Sequence, residues 1–101
     1  MSSAVGTPTQ KAVDTWLGRW NGPEGTYLVL AKENERYDVT IHDLDAPRTF
    51  AGTIENGELT FVRDGARERL YPTDGRGTGM KWLAGKHSCL TVRAGEGYCR
   101  D

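Results

Sequence analysis

Among the side chains able to do chemistry, the two cysteines are the most informative. Cys89 and Cys99 flank Arg93-Ala94-Gly95, which reads as a three-residue hairpin loop with Gly95 in the left-handed position. That turn sets Cys89 directly opposite Cys99 and Leu90 opposite Tyr98 on the other face. Opposed strand residues bring their Cβ atoms to roughly 4.5–5.5 Å, and slightly closer approach lets two sulfurs bond. A disulfide there implies an oxidising compartment. Two alternatives use the same residues. Both cysteines can be reduced and buried, or His87, Cys89, Cys99 and Asp101 can form a four-ligand zinc site, since His87 and Cys89 share a strand face. Against zinc stand the absence of any Cys-x-x-Cys spacing and a ligand in the last residue of the sequence.

Other constellations are weaker. His42 with Asp43 and Asp45 holds acid–base residue types, but neighbours at a strand end point in different directions, and 43–47 reads as an ordinary turn. Residues 74–79, Asp-Gly-Arg-Gly-Thr-Gly, carry the glycines of a phosphate cradle. They lack both dinucleotide spacing and the Gly-Lys-Ser/Thr of a P-loop, so a flexible connection is expected. Nothing amounts to a catalytic signature. No enzyme activity, cofactor or resident metal is expected.

Charge is unevenly distributed. The formal net charge of −1 argues against a general nucleic-acid binder. Residues 24–45 hold six acids against Lys32 and Arg36, whereas residues 75–95 hold Arg76, Lys81, Lys86, Arg93 and His87 and no acid. Trp82 lies within that basic stretch. Arg76, Lys81, Trp82, Lys86 and His87 are therefore the candidate binding face, suited to an anionic partner. The competing expectation is that strand alternation scatters these charges and that acids from neighbouring strands neutralise them.

The elements that must position these residues are short strands. The 101 residues suffice for one domain; 37% are hydrophobic and 27% charged, with 13 glycines. Residues 1–6 are expected to be a flexible N-terminus and 7–101 a single domain. Thr7-Pro8-Thr9-Gln10 reads as a helix start with Thr7 as cap, and Ala12, Val13, Trp16 and Leu17 form one stripe over residues 8–17 before Gly18. Strands follow at 26–31 and 36–42, where Tyr37, Val39 and Ile41 alternate with polar residues. Asn56-Gly57 and Asp64-Gly65 are type I′ turn signals joining strands at 48–55, 58–63 and 67–71, with Ile54 opposite Leu59, Gly52 opposite Phe61 and Leu59 opposite Leu70. Residues 80–83 suit a strand or one helical turn, and 88–93 and 97–100 make the last hairpin. Seven or eight short antiparallel strands with a short N-terminal helix imply a mainly β fold, a small barrel or a sandwich.

Two resemblances follow from short motifs. Gly18-Arg19-Trp20, after a short helix and opening the first strand, resembles the Gly-x-Trp start of lipocalin-type barrels. That resemblance implies a Trp closing the barrel base against a basic residue of the last strand, here Arg93 or Arg100. The stretch from Thr73-Asp74-Gly75 to Trp82-Leu83-Ala84-Gly85 resembles the C-type lysozyme inhibitors of bacterial envelopes, which are small disulfide-bearing barrels. Their Trp-x-Lys-Gly loop has Ala84 in place of the lysine, and their Ser-Gly-x-x-Tyr loop has no counterpart. The resemblance thus implies architecture and compartment, not inhibition of lysozyme.

The function expected is a non-catalytic, extracytoplasmic binding or inhibitor module of a bacterial envelope, periplasmic or anchored to the outer membrane like many small lipoproteins. A structural envelope protein contacting the cell wall or another protein is the alternative, and a metal-binding or enzymatic domain the third. The expected partner is a protein, the cell wall or an anionic envelope ligand. Neither nucleic acid nor a transmembrane segment is expected, and the chain should be a monomer.

Overall fold

A computed structural model of the chain describes residues 8–43 and 45–101. Eight antiparallel strands follow one another around a closed up-and-down barrel: β1 (Gly18–Asn21), β2 (Tyr27–Glu33), β3 (Arg36–His42), β4 (Pro47–Glu55), β5 (Glu58–Arg63), β6 (Ala66–Thr73), β7 (Cys89–Arg93) and β8 (Glu96–Cys99). The barrel, rather than the sandwich, is the architecture. Closure joins the last strand to the first. It is thin at the seam, where the only register pair between β1 and β8 is Asn21 with Cys99.

The turns follow local chemistry. Asn56-Gly57 and Asp64-Gly65 all take positive φ, as a type I′ turn requires. They set Ile54 opposite Leu59 and Leu59 opposite Leu70. The β4–β5 ladder keeps the expected register but begins at Thr53, one residue short of Gly52 and Phe61, and Gly52 pairs with Tyr37 of β3 on the other side of β4. The β7–β8 turn is Ala94-Gly95 with an irregularity between Thr91 and Arg93. This absorbs the third loop residue and still leaves Cys89 opposite Cys99 and Leu90 opposite Tyr98.

Alternation sends one face of every strand inward. Leu28, Leu30, Val39, Ile41, Leu59, Phe61, Leu70, Leu90, Val92 and Tyr98 fill the barrel, with Phe50 and Ile54 packed against them. Each fully buried large aliphatic or Phe stabilises by roughly 1.5–3 kcal/mol relative to exposure. The barrel is filled by side chains.

Helix α1 (Pro8–Asp14) lies at the end that carries the β4–β5 turn. It is shorter than the expected 8–17. Thr15 turns its hydroxyl back onto the Ala12 carbonyl at 2.6 Å, and the Trp16 and Leu17 amides reach only three residues back, tightening the last turn. Val13 is fully buried and Trp16 and Leu17 pack on the core, as the apolar stripe requires. Thr7, the expected cap, lies outside the described residues. Among the described residues no helix is long and apolar enough to cross a membrane.

Candidate functional site

Between β6 and β7, residues 74–88 fold back over the outside of β7 and β8 as a flap. The expected flexible connection is instead tied down at several points. Asp74 Oδ1 accepts the Gly77 amide at 2.8 Å. The buried Thr78 donates to the Gly75 carbonyl at 2.6 Å and accepts the Met80 amide at 3.1 Å. The Gly95 amide of the last hairpin donates to the Thr78 carbonyl at 2.8 Å. Gly75 serves close approach: a Cβ there would sit 1.6 Å from the Leu83 carbonyl oxygen. Residues 80–83 resolve into a single helical turn, Lys81–Leu83.

The flap stands on the disulfide. Cys89 and Cys99 are bonded and buried, and Leu83 and Met80 pack on them in a small apolar cluster separate from the barrel core. Neither sulfur is a thiolate, so the zinc alternative loses its two sulfur donors. Asp101 lies by His87 as the zinc reading required, but its carboxylate accepts the amides of His87 at 2.9 Å and Ser88 at 3.1 Å. Those amides, Ser88 first, hold its carboxyl below the usual range.

All five candidate face residues, Arg76, Lys81, Trp82, Lys86 and His87, are exposed on this flap. Trp82 is 80% exposed, whereas Trp20 is 5% exposed. Neutralisation is partial. Lys86 Nζ donates to the Asp101 carbonyl at 3.0 Å, and His87 Nδ1 stands 3.4 Å from Asp101 Oδ2. Arg76 and Lys81 make no ion pair among the described residues. Arg93, the fourth cation of the basic stretch, lies on β7 outside the flap and pairs with Glu68.

That pairing belongs to a second region, the barrel mouth, at the end opposite α1. Arg63 extends the inward row of Leu59 and Phe61, and Glu68 that of Leu70. Arg63 donates through Nη1 and Nη2 to the two oxygens of Glu96, both at 2.7 Å, and through Nη2 to Glu68 Oε2 at 2.9 Å. Arg93 reaches the same Glu68 oxygen. Tyr98 donates to Glu96 Oε2 at 3.2 Å. The carboxylates, Glu96 first, strengthen the hold of Arg63 on its proton against the opposing effect of burial. Burial, reinforced by Glu96, pushes the Tyr98 phenol up, so it stays protonated. Above this network opens a cavity of about 430 Å³, walled by Pro23, Thr26, Met80 and Tyr98, with Glu24 and Asp43 at its rim.

The residues of this network did not figure among the candidates from sequence. The available signal was inward parity: Glu68 shares a face with Leu70, and Arg63 with Phe61. His42, Asp43 and Asp45 form no acid–base cluster. The His42 ring stacks on Tyr27 with centroids 4.9 Å apart, while Asp43 Oδ1 accepts the Asp45 amide at 2.9 Å. His42 Nδ1 is buried without a hydrogen-bond partner.

Comparisons of the chain with protein-family models, characterised proteins and solved structures find no match.

Proposed function

We propose that this protein is a non-catalytic, extracytoplasmic binding or inhibitor module of a bacterial envelope. Its flap presents Trp82, next to Lys81 and on the same flap as Arg76, two cations without an ion pair among the described residues, to an acidic surface of a partner protein. The observation that carries this reading is the 80% exposure of Trp82 on a flap held by a buried disulfide. An exposed Trp leaves a large apolar area in water, where a partner gains by covering it. The flap is tied before binding, so little ordering entropy is lost on association. Arg76 and Lys81 add long-range attraction for acidic surfaces, which speeds encounter and fades with salt. The Cys89–Cys99 cross-link is compatible with an oxidising compartment.

The test uses immobilised protein, envelope extract and the partner so recovered. Trp82→Ala should weaken binding by about 2 kcal/mol, roughly thirtyfold. Its unfolding midpoint should stay within about 0.5 kcal/mol of the parent's, as for surface substitutions generally. Removing both Arg76 and Lys81 charges should slow association and flatten its salt dependence. Full-strength binding by both variants would defeat the reading.

A further inference from the structure

We propose that the barrel mouth is a second binding site, distinct from the Trp82 turn, and that it takes an alkyl cation, an ammonium or guanidinium group on a short aliphatic stem. The cavity, about 430 Å³, is within the range of small-ligand sites. Its floor is charged and fixed. Glu68 has a side chain only 6% exposed and is held between Arg63 and Arg93, both of which line the cavity. Stability alone does not call for such a floor, because well-packed apolar side chains in place of a buried ion network are often neutral or stabilising.

The sign of the ligand follows from the charge count. Arg63 and Arg93 are matched by Glu68 and Glu96, so the floor is neutral and its guanidiniums are already engaged. Glu24 and Asp43 at the rim form no ion pair among the described residues, leaving two negative charges in excess. An anion would have to displace a carboxylate from Arg63; a cation need displace nothing. A partly enclosed cleft concentrates the field of these charges. Pro23 and Met80 in the lining offer an aliphatic stem apolar contact. Among the described residues no three His, Cys, Asp or Glu side chains gather as a metal-binding group, which favours an organic cation over a desolvated metal ion.

The experiment is an amide NMR titration of the full chain with n-butylammonium chloride, with n-butanol as the neutral isostere and an acetylated, amidated Gly-Lys-Gly peptide as second cation source. Saturable shifts are expected at Thr26, Gly95, Gly97 and Tyr98, with n-butanol weaker by roughly tenfold or more. Glu24→Gln and Asp43→Asn change exposed side chains without ion pairs, so the fold should persist. Together they should weaken n-butylammonium by roughly tenfold. Tighter binding of the peptide identifies a protein side chain as the source of the cation, and equal binding a free amine. The site does not depend on the flap reading, so Trp82→Ala should leave the titration unchanged. Absent saturation at these amides, equal affinity for n-butanol, or undiminished binding in the double variant would overturn the proposal.

Discussion

The guanidinium carbon of Arg100 lies 3.8 Å from the centre of the Trp20 ring, and its Nη2 reaches the Leu17 carbonyl at 3.4 Å. Trp20 Nε1 donates to the Trp16 carbonyl at 2.8 Å. The contact therefore joins the residue after β8 to β1 and to the segment leading out of α1, across the seam where the ladder has a single register pair. Of the two arginines that the Gly-x-Trp motif offers as partners of Trp20, Arg100 makes the contact and Arg93 serves the mouth.

Arg100→Ala should accordingly lower stability by about 1 kcal/mol, the scale of a partly exposed cation–π contact. Arg100→Lys should restore only part of it, because an ammonium keeps the charge and loses the planar stacking. Urea unfolding with an unchanged slope is the measurement. Equal stability of all three proteins would show that the seam does not need this contact.

Glu68 is the acceptor that two arginines share. Glu68→Gln should destabilise by about 3 kcal/mol, the low end for breaking a buried pair, because Arg63 keeps Glu96 and Arg93 is 56% exposed and can rehydrate. Arg93→Ala should cost markedly less. Comparable losses for the two variants would contradict the ranking.

Reduction of the Cys89–Cys99 bond, which closes a short loop with a sequence separation of 10, should cost about 3 kcal/mol on the chain-entropy account. The flap should respond first, since Leu83 and Met80 pack on the sulfurs. Hydrogen exchange should therefore rise at Lys86 and Gly75, whose amides make hydrogen bonds within the flap, before it rises at Leu30 or Val39 in the barrel. Simultaneous loss of protection would mean that flap and barrel unfold as one unit.

Asp14 ties α1 to the barrel by accepting the Tyr37 hydroxyl at 2.8 Å and Lys32 Nζ at 3.1 Å. The Tyr37 bond, more than Lys32, holds the Asp14 carboxyl below its ordinary 3.8 against the opposing effect of burial. A lowered carboxyl contributes stability in full above its unfolded value and loses it as pH falls through the folded one. Tyr37 is pushed above its ordinary 10.0, by burial first and Asp14 second, so its share is present below that value and lost as pH rises past it. Trp16 fluorescence should thus report loosening of α1 at both extremes, below about pH 4 and above about pH 10. Tyr37→Phe should weaken both limbs. An unchanged profile in that variant would exclude the contact as the cause.

Gly75→Ala should destabilise by about 1–3 kcal/mol, the usual cost of overpacking, since the added methyl meets backbone and not a movable side chain. Gly85, where a Cβ would meet nothing within 4 Å, is the control and should tolerate alanine. Equal tolerance at both positions would show that the flap is held more loosely than its hydrogen bonds indicate.

Much of this fold was legible in the residues themselves, because the relevant preferences are local. Asn56-Gly57 and Asp64-Gly65 specify their turns through φ, and turn type together with period-two alternation sets the register that opposes Ile54 to Leu59 and Leu59 to Leu70. The same reasoning set Cys89 opposite Cys99, ten residues away. Tertiary structure alone decided the rest. Closure of β8 on β1, the course of the flap and the exposure of Trp82 depend on the relative placement of distant segments. Arg63 and Glu96 are 33 residues apart, and Arg93 and Glu68 are 25 apart. An arginine in a basic stretch reads the same whether it faces water or a carboxylate across the barrel. Only the folded chain brings Glu68 within reach of Arg93 and so assigns that arginine to the mouth and not to the basic face.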